Sequence, residues 1–281
     1  MTSPPRPGRE SRDAVVVTGV STGIGADVAV RLLRSGYRVF GTVRREEDGR
    51  ELERAGGTAV LMDVTDGESV SAGRTSIVGA LDRARLAALV NNAGVGAVGP
   101  IEALELDEIR GVFDVNLFGA VAVTKAFLPE LRRSRGRIVM VSSTSGRLAA
   151  PFLGAYAGSK FALEAISDSL RRELRPHGVD VVVIQPGPIT TPIWDKIRQR
   201  TAGRFVGTNY GPALERFGRD AARSERKALP AERVSRAVLR SLSAHRPPTR
   251  IIVSRHPLVM RLLSVLPDRW IDRMTSARGG G

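Results

Sequence analysis

Thr18-Gly19-Val20-Ser21-Thr22-Gly23-Ile24-Gly25 separates a short β-branched run (14–18) from a helix-period pattern (24–35). Glycines in that turn let the backbone bend tightly and close on a pyrophosphate, which the unpaired N–H groups of a helix start would hold. Gly19, Ser21, Thr22, Gly23, Ile24 and Gly25 are therefore candidates for contact with a dinucleotide. The spacing is G-x-x-x-G-x-G rather than the commoner G-x-G-x-x-G, so at this point a glycine-rich turn with no ligand stays open.

Outward from this stretch, apolar β-branched runs alternate with longer helical patterns. Strands are expected at 14–18, 38–43, 59–62, 88–90, 137–141, 180–184 and 250–253, and helices at 24–35, 68–82, 107–134, 156–175 and 231–244. That rhythm predicts βαβ units: an α/β Rossmann fold, a doubly wound parallel sheet of about seven strands with helices on both faces. Its ligand crevice would lie at the carboxyl ends of the strands. At 281 residues and 42% apolar composition, one large domain with a full core is expected. The expected organisation is a Pro-, Arg- and Ser-rich disordered leader over 1–12, a nucleotide-binding domain over 13–255, and a helical extension with a glycine tail over 256–281. The stretch 188–229 is too long for a simple connection and reads as a substrate loop. In the extension, Leu258, Leu262, Leu266 and Trp270 recur every four residues, and Pro267 should split it into two short helices.

The chain has no cysteine, which excludes disulfides, thiolate zinc sites and thiol catalysis, and its three histidines are not spaced as metal ligands. No uninterrupted apolar run approaches the ~18 residues that span a bilayer, so a cytoplasmic location is the default expectation. The net charge of +14 is uneven: residues 195–281 carry 19 basic and 7 acidic side chains, a balance of +12. A surface of that sign attracts anionic partners. No nucleic-acid recognition motif accompanies it, and no nucleic acid is expected.

The remaining candidates sit where the strands end. After the second strand, Arg44 is placed to pair with a ribose 2′-phosphate, and no carboxylate occurs before Glu46, so NADP(H) is preferred over NAD(H). Asp63 and Val64 end the third strand, where a carboxylate and the next backbone N–H would meet an adenine edge. Asn92, Ala93 and Gly94 follow the fourth, where small residues let the backbone approach a cofactor. Tyr156 and Lys160, four apart, share a helix face. A neighbouring ammonium should favour the phenolate and draw the tyrosine down from its ordinary pKa near ~10. Ser143 ends the fifth strand, and Asn116 lies inside the 107–134 pattern, where a buried amide must find partners. Singly, each has a structural alternative: an amphipathic pair, a turn serine, a kink asparagine.

Together with Pro186-Gly187-x-x-x-Thr191, these motifs resemble the short-chain dehydrogenase/reductase family in order and spacing over roughly 13–255. The resemblance implies Tyr156 as acid/base, Lys160 as its activator and ribose ligand, and Ser143 as carbonyl anchor. It also implies Asn116 as holder of a water leading from Lys160 to solvent, and Pro186, Gly187, Ile189 and Thr191 as the embrace of a nicotinamide. Tyr156-Ala-Gly-Ser-Lys-Phe-Ala-Leu-Glu-Ala is similar to the 17β-hydroxysteroid and retinol dehydrogenase-like branch. That implies hydride transfer between NADP(H) and a bulky apolar ketone, aldehyde or alcohol, steroid-, retinoid- or polyketide-like. Alternatives are a β-ketoacyl thioester reductase and a non-catalytic NADP- or nucleic-acid-binding regulator. A homodimer or homotetramer is expected through the 107–134 and 156–175 helices. The apolar stripe of the extension is expected to wall the substrate site, to touch a membrane surface through the arginines beside it, or simply to pack.

Overall fold

Seven parallel strands form one sheet in the order β3-β2-β1-β4-β5-β6-β9. The coordinates are a computed structural model, which describes residues 13–192, 197, 201, 203–205 and 207–276. The leader expected over 1–12 and the glycine tail beyond 276 lie outside them. The strands are β1 (Asp13–Thr18), β2 (Arg38–Val43), β3 (Thr58–Leu61), β4 (Arg85–Asn91), β5 (Arg137–Val141), β6 (Asp180–Pro186) and β9 (Arg250–Val253). Strand alternation sends Ala14 and Val16 to one core and Val15 and Val17 to the other, and β6 does the same with Val181/Val183 and Val182/Ile184. On one face lie α3 (Gly67–Ala80), α5 (Ala120–Ser134) and α6 (Gly154–Leu174); on the other, α1 (Gly23–Arg34) and α8 (Glu232–Ser243). The direction in which successive strands are added to the sheet reverses between β1 and β4, and the crevice opens above that point.

Three features depart from the expectation. The helix foreseen over 107–134 is α4 (Leu106–Phe113), a π turn (Asp114–Gly119) and α5, so Asn116 sits in the irregular turn. A π turn inserts one residue and rotates the rest of the helix about its axis, a device common at functional sites. The whole segment is long and apolar enough to pass for a membrane span, but Val112, Leu117, Val123, Phe127 and Leu131 are core residues. Within 188–229, the two-residue strands β7 (Ile189–Thr190) and β8 (Leu229–Pro230) pair in parallel and clip the ends of the loop together. Between them runs α7 (Gly211–Glu225). Pro230 ends β8, and Ala231 is the N-cap of α8. The extension forms α9 (Pro257–Leu263) and α10 (Asp268–Ser276), divided at Pro267 as expected. Two further short helical pieces, Glu46–Gly49 and α2 (Arg50–Arg54), connect β2 to β3.

Candidate active site

The turn after β1 is built by steric exclusion. Gly19 has φ +70°, and a Cβ on it would lie 2.9 Å from the Ala93 Cα; a Cβ on Gly25 would lie 2.2 Å from the Gly19 carbonyl oxygen. Only glycine permits both approaches. Thr18 braces the turn against the end of β4: its hydroxyl accepts from Asn92 N (2.9 Å) and Ala93 N (3.0 Å), while Asn92 Nδ2 donates to the Thr18 and Gly19 carbonyls. The start of α1 has no side-chain cap and no acid in its first turn, so its N–H groups and dipole remain available to an anion.

Above this turn lies a cleft of about 860 Å³. It brings together Gly19, Ser21, Thr22, Gly23 and Ile24 with Arg44, Asp63, Val64, Asn92, Ala93 and Gly94. It continues past Ser143, Tyr156 and Lys160 to Pro186, Gly187, Ile189 and Thr191. Gly25 and Asn116 are both buried and shape the cleft without lining it. Arg44 is exposed at the rim, makes no hydrogen bond or ion pair with a described residue, and lowers the Asp63 pKa by its charge. The larger cause of that lowering is the Thr65 N–H donated to Asp63 Oδ1 at 2.9 Å. Arg45 differs, being bound to Asp48.

At the far end Ser143, Tyr156 and Lys160 converge. Ser143 Oγ accepts from Ser145 N at 3.0 Å, lies 3.4 Å from the Pro186 carbonyl, and pairs with the Tyr156 hydroxyl. Lys160, almost wholly buried, donates to the Val141 carbonyl at 2.9 Å, with Nζ 5.9 Å from the Tyr156 ring centroid. Asn116 Nδ2 donates to the Val95 carbonyl and to Ser159 Oγ, both at 2.9 Å, and its Oδ1 accepts from Val95 N at 2.8 Å. Both its amide hydrogens are therefore spent on locking the 94–96 segment to α6. A water held by Asn116 would have to use a carbonyl oxygen.

One electrostatic expectation is reversed. Burial raises the Tyr156 pKa, and only the Ser143 hydrogen bond opposes it. Lysine does not lower it here because burial brings the lysine's own pKa down to about 8, partly restored by Glu164, so the ammonium has lost its proton before the phenol ionises. The extension is a second correction. No described residue of it lines the cleft, and Leu258, Val259, Leu262, Val265 and Trp270 are exposed, so its described residues do not wall the site. Walls come instead from residues the sequence did not single out: Val95, Gly96, Ala97, Leu153 and Ile197. Ile197 is buried against Gly96, where an added Cβ would lie 2.6 Å from its Cδ1. The loop that carries Ile197 is tied down nearby by Arg204 to Glu108 and Tyr210 to Glu102, each at 2.5 Å, and by Phe205 packed beside Leu104.

The short-chain dehydrogenase family profile matches residues 13–202. The chain belongs to that family. A similar protein, the NADPH-dependent 3-dehydrocapnine reductase of Ornithobacterium rhinotracheale, is 36% identical over 268 residues, covering 92% of this chain and 94% of that one. Human retinol dehydrogenase 8 is 36% identical over 260 residues, 84% and 79% of the two chains. Among solved structures, a short-chain dehydrogenase/reductase from Burkholderia phymatum in complex with NAD superposes with a TM-score of 0.77 at 25% identity, over 93% and 95% of the chains. This short-chain dehydrogenase is thus an oxidoreductase on a nucleotide-binding fold, as the motif order implied, with relatives in the retinol dehydrogenase branch.

Proposed function

We propose that the enzyme transfers hydride between NADP(H) and a bulky apolar ketone, aldehyde or alcohol. One observation carries this reading: a hydroxyl pair, Ser143 and Tyr156, faces a cleft with the glycine turn at one end and apolar walls at the other. The residues present fit a dinucleotide, since an uncapped helix start and a rim arginine without an ion partner among the described residues both call for phosphate. Arg44 supports NADP(H), in line with the name of the reductase relative; a solved neighbour of the same fold is in complex with NAD, so the preference is argued from Arg44 and not from the fold.

The bound nicotinamide supplies the hydride. The side chains do the rest: Ser143 and Tyr156 donate to the substrate oxygen as negative charge develops on it, and Tyr156 passes its proton there. Its raised pKa keeps the phenol protonated at neutral pH, which suits the reducing direction. Lys160 holds a positive charge at the site and would donate to a ribose hydroxyl of the bound cofactor, and Ile197 with Leu153 excludes water from the reacting centre. Exposed Phe118 on the π turn and Phe161 and Ile166 on α6 support a homo-oligomer joined through those helices.

Tyr156→Phe keeps the ring and removes the oxygen. Turnover of a ketone panel, followed by NADPH and NADH absorbance, should vanish while NADPH still binds. A variant with a tenth or more of wild-type kcat would refute the assignment.

A further inference from the structure

The buried carboxylate of Glu164 has no part in the mechanism just given, yet it sits one helical turn beyond Lys160 on α6 and is only 4% exposed. A buried carboxylate is expensive unless paired and hydrogen-bonded. Here every neighbouring element contributes. Gln185 on β6 donates to Oε1 at 2.9 Å, and Arg250 on β9 donates to Oε2 at 2.8 Å. Arg147, beyond the end of β5, lies 3.8 Å from the same oxygen. Arg250 also pairs with Asp168 at 2.9 Å, and Asp168 with Arg171 at 2.9 Å. Down one face of α6, at positions 160, 164, 168 and 171, the charges therefore read plus, minus, minus, plus, with Arg250 of β9 set between the two carboxylates. Around Lys160 itself the facing groups are the Val141 carbonyl of β5, the Tyr156 phenol and Glu164 of its own helix, and the Asn116 amide beyond Gly94.

We propose that Glu164 is a positioning residue for Lys160: from one turn away on the same buried helix face it supplies the counter-charge that favours the ammonium form, and Arg250 sets how much of that charge the lysine feels. The inference rests on the reading of Lys160 under the proposed function. It assigns a role to the last strand of the sheet, because the side chain that tempers the lysine's counter-ion comes from β9. The direction of the Lys160 pKa agrees, since Glu164 is the one group that raises it against burial.

The array makes predictions of opposite sign for two neutralising variants. Glu164→Gln removes the negative charge, so the pH above which NADPH affinity falls should move down by about one unit. Arg250→Gln leaves Glu164 less neutralised and should move that pH up. NADPH fluorescence titrations from pH 6 to 10 give both values without a substrate, and melting temperatures accompany them. A purely structural clamp would lower the melting temperature in both variants and leave the alkaline limb in place, and that result, or shifts of the same sign, would overturn the proposal. Should Glu164→Gln fail to fold, Arg250→Gln decides alone: an upward shift supports the assignment, and no shift or a downward one refutes it. Lys160→Met, run alongside, separates the two readings. If it binds NADPH like wild type with the same alkaline limb, the role of Lys160 falls, and this inference with it.

Discussion

Replacing Lys160 by methionine should make the cofactor-free protein more stable while destroying its activity. Burial lowers the lysine pKa from 10.5 to about 8. For a base with a depressed folded pKa, the penalty is fully present below the folded value and vanishes above the unfolded one. Between those values wild-type stability therefore rises with pH. A gap of that size is worth about 3 kcal/mol at neutral pH, taking 1.36 kcal/mol per unit. Methionine fills the same unbranched volume without the charge. Against the gain stands the hydrogen bond to the Val141 carbonyl, whose loss costs ~1 kcal/mol. The net is about +2 kcal/mol, or ~4 °C in Tm for a chain of this length. Thermal melts of both proteins between pH 7 and 10 test it. The Tm gap should be largest at pH 7 and shrink as pH rises past 8, while reduction of any active ketone is lost. A variant less stable than wild type at pH 7, or a gap that does not change with pH, would refute the reasoning.

Two further outcomes are expected at the cleft. Arg44→Ser removes a charge-assisted contact worth about 1.5–3 kcal/mol, so NADPH affinity measured by calorimetry should fall roughly 10- to 100-fold while NADH affinity barely moves; equal losses for both would make Arg44 structural. Gly25→Ala would put a Cβ 2.2 Å from the Gly19 carbonyl oxygen and 2.4 Å from Asn92 Nδ2, so the turn must open and both cofactors should bind at least about tenfold more weakly; unchanged binding of either would show that the turn does not hold the pyrophosphate.

The seven sheet strands were legible because each pairs a short apolar, β-branched run with a flanking turn, and burial on both faces demands a run and not an alternation. Site residues at strand ends were legible for the same reason, since a carboxyl-end position is a sequence offset from a strand. What escaped had no period to carry it. Ile189–Thr190 and Leu229–Pro230 are two residues each, too short for alternation to register. A π turn at 114–119 leaves the hydrophobic pattern nearly that of a continuous helix, so the extra residue was invisible. Ile197 reaches the cleft from an irregular segment, where position along the chain says nothing about position in space. The Tyr156 pKa was misjudged because spacing reveals proximity to Lys160 but not that both groups are desolvated. Glu164, by contrast, lay in plain view at four residues beyond Lys160; its partners on β6 and β9 did not.

The strand order has a consequence for how the chain acquires its site. β1, the first of these strands to be made, lies inside the sheet, flanked by β2 close behind it and by β4 some seventy residues later. β9, made near the end, closes the opposite edge against β6. Non-local parallel pairing of this kind delays folding until distant segments exist, because loop closure precedes the contacts that reward it. During synthesis the nucleotide half can therefore assemble while the chain is still growing, whereas Glu164 remains without Arg250 until β9 has left the ribosome. A nascent chain stopped before residue 250 would hold its dinucleotide turn in order and its acid/base helix without the cation that balances it.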